Sequence, residues 1–335
     1  MLKIGLVGFG GLGHFHANGF HLVKGARLVA VCDVRRKQLA APESSINLGR
    51  SGAAFDIRTA RTYTDYRRML DREKLDAVIS ALPTYLHARF AIEAMQAGCH
   101  VFSEKPMALT VKECDAMIAA RDRNRRQLLI GQCLRFWPEY EFLRAAAQEK
   151  PYGRLVSLSL ERIGYYAPWT WQGWMNDVRR GGGAILDLHL HDVDWAWYAL
   201  GRPRRLFAAG QVGMTKGIDD VVATWAYPGC LVTLRGSWMY HAFFMGFRAF
   251  FEKASLDFGY GPPGASLWLQ EVGRKPRAVK VSAASAYVRE VQYWVDCIRG
   301  RHANTQCAAE STRESVALVQ REQESIRTGQ WINPR

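Results

Sequence analysis

The sequence predicts an α/β chain: a doubly wound parallel sheet first, then a second domain built on a mostly antiparallel sheet. Three observations carry this. Short apolar runs at residues 2–8, 27–32, 75–80, 99–103 and 127–133 alternate with helical stretches. Later runs at 155–162, 206–212, 221–227, 230–238 and 247–253 follow one another as consecutive strands. A length of 335 residues, 48% hydrophobic and 23% charged, is ordinary for globular protein and leaves room for two cores. The change of pattern puts the boundary near residue 130, giving domains 1–130 and 131–335.

Residues 2–8, Leu-Lys-Ile-Gly-Leu-Val-Gly, read as a buried strand. They run into Gly8-Phe9-Gly10-Gly11-Leu12-Gly13, a G-x-G-x-x-G motif at the start of a helix. Gly8 permits the tight turn, Gly10 lets backbone approach a pyrophosphate, and Gly13 lets the helix pack close to the strand. The first N–H groups of the helix, from Gly11 and Leu12 onward, then face the anion. The second strand ends in Asp33, 20 residues after Gly13, where a ribose-binding carboxylate belongs. Dinucleotide binding by a Rossmann domain follows. Asp33 repels a 2′-phosphate and favours NAD, whereas Arg35 and Arg36 would suit that phosphate, so NADP stays open.

Residues 42–58 read as loop or irregular helix, and 63–70 as a short helix starting near Thr64. The strand at 75–80 ends in Ala81-Leu82-Pro83-Thr84-Tyr85-Leu86-His87, followed by a helix to Ala97. The next strand, 99–103, leads straight into Glu104-Lys105-Pro106. Thr110 and Glu113 have capping-box spacing and start another helix. Ligands of doubly wound sheets sit at the carboxyl ends of the strands, where Gly8, Asp33, residues 81–84 and residues 104–106 all fall.

In the second half, Tyr227-Pro228-Gly229 signals a hairpin, and 287–298 and 314–326 read as closing amphipathic helices. The stretch from Gly181-Gly182-Gly183 to Asp194 carries Asp187, His189, His191, Asp192 and Asp194 inside an apolar run. On one helix, Asp187, His191 and Asp194 stand at i, i+4 and i+7 and share a face. Burying so many titratable groups is costly without partners. A metal cluster, a proton-transfer pair facing a substrate and a buried structural network are the three readings. The metal reading is the weakest, because His189 projects off that face and no fourth ligand is evident. Asp194 is expected to be structural.

Composition narrows the class. The net charge of +14 and pI near 9.6 come from clusters such as 35–37, 121–126 and 202–205, which sit at apparent element ends. They suggest a solvated, Arg-rich surface rather than a nucleic-acid site. Seven scattered cysteines without a C-x-x-C pair suggest reduced thiols and a cytoplasmic protein. No apolar run reaches membrane-spanning length, and no cleavable leader is expected.

The G-x-G-x-x-G motif, Glu104-Lys105-Pro106, and Gly-Gly-Gly followed by Asp187-x-x-x-His191-x-x-Asp194 together resemble the glucose–fructose oxidoreductase, inositol dehydrogenase and rhizopine-catabolism family (Gfo/Idh/MocA) over nearly the whole chain. The resemblance implies a Rossmann domain joined to a C-terminal α+β domain with a large open sheet, whose exposed face forms homodimers or homotetramers. It implies an NAD(P)-dependent sugar, inositol or polyol dehydrogenase. Lys105, Asp187 and His191 match the catalytic positions. Leu82, Pro83, His87 and Glu104 match the cofactor segment. Arg135 matches a basic position bordering the substrate cleft. Aromatic planes stack on sugar faces, so Trp174 or Trp169 either lines that cleft or serves core and interface packing. Many members have glycine where this chain has His189. Two other functions share the same residues: an NAD-assisted lyase or glycosidase acting by transient sugar oxidation, and a non-catalytic sugar or nucleotide sensor.

Overall fold

A computed structural model describes residues 1–40, 53–261 and 266–334. Most of the loop expected at 42–58 therefore lies outside the described residues. The chain divides into two compact units: Met1–Cys133 with Ala284–Arg313, and Leu134–Ala283 with Glu314–Arg335. The expected single boundary near residue 130 falls close to the first crossing. The chain also returns to the first unit at 284–313, which the expectation of one C-terminal domain over 131–335 did not include.

The first unit runs β1 (Leu2–Val7), α1 (Gly11–Gly19), β2 (Ala26–Cys32), α2 (Arg36–Leu39), β3 (Arg61–Tyr63), α3 (Tyr66–Glu73), β4 (Ala77–Ser80), α4 (His87–Gln96), β5 (His100–Glu104), α5 (Val111–Asn124) and β6 (Leu128–Gly131). Its six strands are all parallel, in the order β3-β2-β1-β4-β5-β6. That order reverses direction beside β1, the switch point where doubly wound sheets bind nucleotides. Ile4, Leu6, Ala77, Val78, Val101 and Phe102 are sealed from solvent, as strands covered on both faces require. Thr110 and Glu113 form the expected capping box on α5. Residues 61–63 pair as an edge strand where a helix was expected from 63; the helix starts at Tyr66 behind an Asp65 cap.

The second unit contains α6 (Pro138–Glu149), β7 (Leu155–Tyr165), α7 (Val178–Gly181), α8 (Gly183–Asp187), α9 (Leu190–Leu200), β8 (Arg205–Val212), β9 (Ile218–Tyr227), β10 (Cys230–Ser237), β11 (Met239–Phe251), β12 (Ala254–Phe258), β13 (Leu267–Glu271) and β14 (Arg277–Ala278). The eight strands form one sheet in the order β14-β13-β12-β11-β7-β10-β9-β8. Only one interior pair, β7 and β10, is parallel. Side chains alternate along it: Val221, Ala223 and Trp225 are buried, while Val222 lies on the opposite, exposed face. Helix α10 (Ala286–Ile298) belongs to the first unit, and α11 (Ala309–Thr328) is shared out between the units at Arg313. No helix among the described residues is long and apolar enough to cross a membrane. None of the seven cysteines forms a disulfide among the described residues, and six are buried; burial first, then the charge of Asp33, pushes the Cys32 thiol up to about 12.

Candidate active site

The nucleotide cradle of the first unit is built from three glycines with different duties. Gly8 has φ +89°, and a Cβ there would lie 2.4 Å from the Ala81 carbonyl oxygen. A Cβ on Gly13 would fall 2.0 Å from the Gly8 oxygen. A Cβ on Gly10 would meet nothing within 4 Å. Two of the glycines are thus demanded by the fold, and the third opens onto space. Gly10 caps α1 with no side-chain hydrogen bond, so the N–H groups of Gly11, Leu12 and Gly13 point out of the helix start. Asp33, buried at the end of β2, takes the Phe9 N–H on Oδ2 at 2.9 Å and the Arg35 N–H on Oδ1 at 2.8 Å. The Arg35 Nε lies 3.5 Å from the same carboxylate. An anion-accepting helix start beside a fixed carboxylate fits a dinucleotide: pyrophosphate over Gly10, ribose hydroxyls on Asp33.

At the ends of β4 and β5 the cofactor-segment residues separate into two kinds. His87 is 1% exposed, with Nδ1 2.7 Å from the Pro106 oxygen and Nε2 2.8 Å from the Leu82 oxygen. It braces the 81–83 and 104–106 segments against each other, so its expected contact with cofactor gives way to a backbone one. Burial holds its pKa down, against the pull of those two carbonyls. Glu104 is likewise buried, 2.6 Å from His16 Nε2, and its other oxygen takes the Lys105 N–H at 3.2 Å. Lys105 is half-buried and precedes a cis bond to Pro106. Leu82 and Pro83 are half-buried in the turn after β4.

In the second unit the Asp/His cluster is not one helix. Gly182 and Gly183, at φ +85° and +75°, turn the chain into α8, in whose first turn the Ala184 N–H donates to Asp219 Oδ1 at 3.2 Å. Helix α8 ends at Asp187 and α9 begins at Leu190. At the break His189 N reaches back five residues to the Ala184 oxygen, 2.9 Å, beside the ordinary Leu188 bond to the same atom. This single wide turn puts Asp187 and His191 on different helices. The single helix expected to carry Asp187, His191 and Asp194 is therefore interrupted between Asp187 and His191, while His191 and Asp194 stay together on α9.

Three of the five polar groups are consumed by buried partners. Asp194 accepts from Arg135 Nε at 2.8 Å and Nη2 at 2.6 Å, and from Ser315 Oγ at 2.6 Å. Asp192 faces Arg162 Nε at 3.1 Å. His189 Nε2 lies 2.9 Å from Glu322 Oε2, and Glu322 Oε1 takes the Trp225 Nε1–H at 2.8 Å. The structural-network reading therefore holds for these three, and Asp194 is structural as expected. Arg135 departs from its expected place at a substrate cleft. It is 1% exposed, bidentate to Asp194 and stacked 4.6 Å from the Tyr198 ring, because an arginine brought into the core needs a carboxylate fork to offset desolvation. Asp187 is buried to 8% exposure and His191 is half-buried. Trp174 is half-buried in an irregular turn, Trp171–Asn176, and Trp169 is 63% exposed. The sequence does not point to Glu322, Trp225 and Arg162, which lie 133, 97 and 30 residues from their partners His189, Glu322 and Asp192; nothing local announces such pairs.

Comparison with known proteins agrees with this architecture. Residues 2–132 match the family model described as an oxidoreductase family with an NAD-binding Rossmann fold, and 140–257 match the GFO/IDH/MocA C-terminal domain. The myo-inositol 2-dehydrogenase of Thermotoga maritima is 27% identical over 212 residues, covering 63% of this chain and 59% of that protein. A protein named glycosyl hydrolase family 109 protein 1, from Shewanella sp. (strain MR-4), is 29% identical over 157 residues, 47% of this chain and 34% of its own. These matches span a third to three fifths of the relatives' lengths. The fold of UDP-N-acetylglucosamine 3-dehydrogenase from Acidithiobacillus ferrooxidans superposes with a TM-score of 0.78 at 23% identity, covering 98% of each chain. Matched by family models in both of its sheets, the chain belongs to the Gfo/Idh/MocA family of NAD-binding oxidoreductases.

Proposed function

We propose that the protein is an NAD-dependent dehydrogenase acting on a secondary alcohol, or the matching ketone, of a sugar, inositol or related polyol. The nucleotide cradle carries the reading: Gly10 opens onto space beside a carboxylate, Asp33, that is already held in place by two backbone N–H groups. Bound NAD+ supplies the hydride acceptor. The remaining chemistry falls to side chains of this chain. Removing hydride from a carbinol leaves a proton on the hydroxyl, and the His191 imidazole is suited to take it near neutral pH. Asp187 orients a hydroxyl or the imidazole. The Lys105 ammonium donates a hydrogen bond to the alkoxide as charge builds there. Asp33 makes NAD the preferred form, with Arg35 as the residue that would tolerate a 2′-phosphate. The first unit binds nucleotide and the second binds substrate.

The exposed face of the eight-stranded sheet, with Val222, Leu231 and Phe250 at 43%, 54% and 53% exposure, supports a homodimer or homotetramer through that face. The names of the relatives fit a redox-assisted elimination as well as a net oxidation. A panel of myo-inositol, free sugars and nucleotide sugars, followed at the nicotinamide absorbance alongside product analysis, separates them. Net NADH equal to product supports the dehydrogenase; product without net NADH overturns it in favour of a lyase or glycosidase.

A further inference from the structure

We propose that His189 is a positioning residue, whose clamp on the α8–α9 break sets where Asp187 and His191 stand; the inference rests on the dehydrogenase reading of those two residues. The main chain of His189 belongs to both helices. Its N–H makes the last bond of α8, to Ala184, and its carbonyl accepts from Asp192 N at 3.1 Å and Val193 N at 3.2 Å, the first bonds of α9. Its ring is gripped from three elements. Helix α11 supplies Glu322, β9 supplies Trp225 to fix Glu322, and β10 supplies a floor. That floor is Gly236, where a Cβ would lie 2.5 Å from the His189 Cβ and 2.8 Å from its Nδ1. His189, Glu322 and Trp225 are all 0% exposed.

The grip is directional. Nδ1 has no hydrogen-bond partner among the described residues, so one bond, Nε2–H to the Glu322 carboxylate, orients the imidazole. Asp187 closes α8 two residues before His189, and His191 lies two residues after it. A rotation at residue 189 therefore moves Asp187 and His191 relative to each other. An error of about 1 Å at reacting groups costs roughly 100-fold in rate without removing a binding contact. The clamp thus acts on kcat rather than KM.

Two near-isosteric variants separate positioning from simple stability. His189→Gln places an amide nitrogen where Nε2 stood and reaches Glu322; His189→Asn mimics only the Nδ1 side. With saturating NAD+ and the panel compound that wild type oxidises, His189→Gln is expected to keep kcat within about threefold. His189→Asn is expected to lose about 30-fold or more in kcat, with KM within about threefold and NADH binding unchanged. Gly236→Ala, which pushes the ring from below, is expected to show the same kcat loss and covers the case in which His189→Asn fails to fold. Ring NMR of 13C-labelled histidine, with the His191 signal assigned through His191→Ala, reads the geometry without turnover. The signal should be displaced in His189→Asn and Gly236→Ala and unmoved in His189→Gln. If wild type oxidises no panel compound, the dehydrogenase reading falls and the NMR result alone decides the positioning claim. A His191 signal and a kcat left at wild-type values, with only the melting temperature lowered, would overturn it.

Discussion

Glu290, on α10, is 0% exposed, and neither carboxyl oxygen has a hydrogen-bond partner among the described residues. Burial first, then the charge of Glu104, pushes its pKa well above the ordinary 4.5. The folded state then keeps a proton that the unfolded chain gives up above 4.5, so this group lowers stability as pH rises past that value. Glu290→Gln should melt like wild type near pH 4 and increasingly above it toward pH 8; parallel melting curves across that range would refute the protonated carboxyl. Arg135 makes the opposite case. Its side chain and that of Asp194 are both fully buried, so Arg135→Met strands a carboxylate and should cost about 3–5 kcal/mol in urea unfolding. At this scale the sequence exposed residue types but few partners. The Asp187–Asp194 cluster was visible as an excess of charge in an apolar run. Which members would be spent internally depended on Arg135, Arg162 and Glu322, whose places are set by tertiary structure.

Among the elements, the strand–turn–helix at Gly8–Gly13 was legible because each glycine answers a separate backbone demand, at a spacing that only this turn explains. The demands predict different phenotypes. Gly10→Ala adds a methyl to open space and should leave the melting temperature unchanged while weakening NADH binding tenfold or more, about 1.4 kcal/mol, in a fluorescence titration. Gly8→Ala puts a Cβ against the Ala81 carbonyl at positive φ and should lower stability as well. The capping box at Thr110 was equally readable. Strand β3 was not, since three residues on an exposed edge carry no alternation. The α8–α9 break was hidden for a different reason. An i, i+4 spacing of Asp187 and His191 reads the same in a continuous helix and across a wide turn.

For the molecule as a whole, alternating and then consecutive strands announced both sheets, and the resemblance carried by three motifs named the family. The return of 284–313 to the first unit was not readable, because an amphipathic helix shows that it has a partner without saying which. The proposed assembly is testable on the open sheet face: Leu231→Arg with Phe250→Asp should shift the sedimentation coefficient to that of a monomer. The central claim is that Lys105 and His191 serve hydride transfer rather than the fold or nucleotide affinity. Its most direct measurement is the nicotinamide absorbance in single turnovers of enzyme saturated with NAD+ and an oxidised panel compound, for wild type, Lys105→Ala and His191→Ala. Wild type is expected to form NADH and each variant to lose at least about 100-fold in rate, with NADH still bound at wild-type affinity. Wild-type rates in both variants would contradict it.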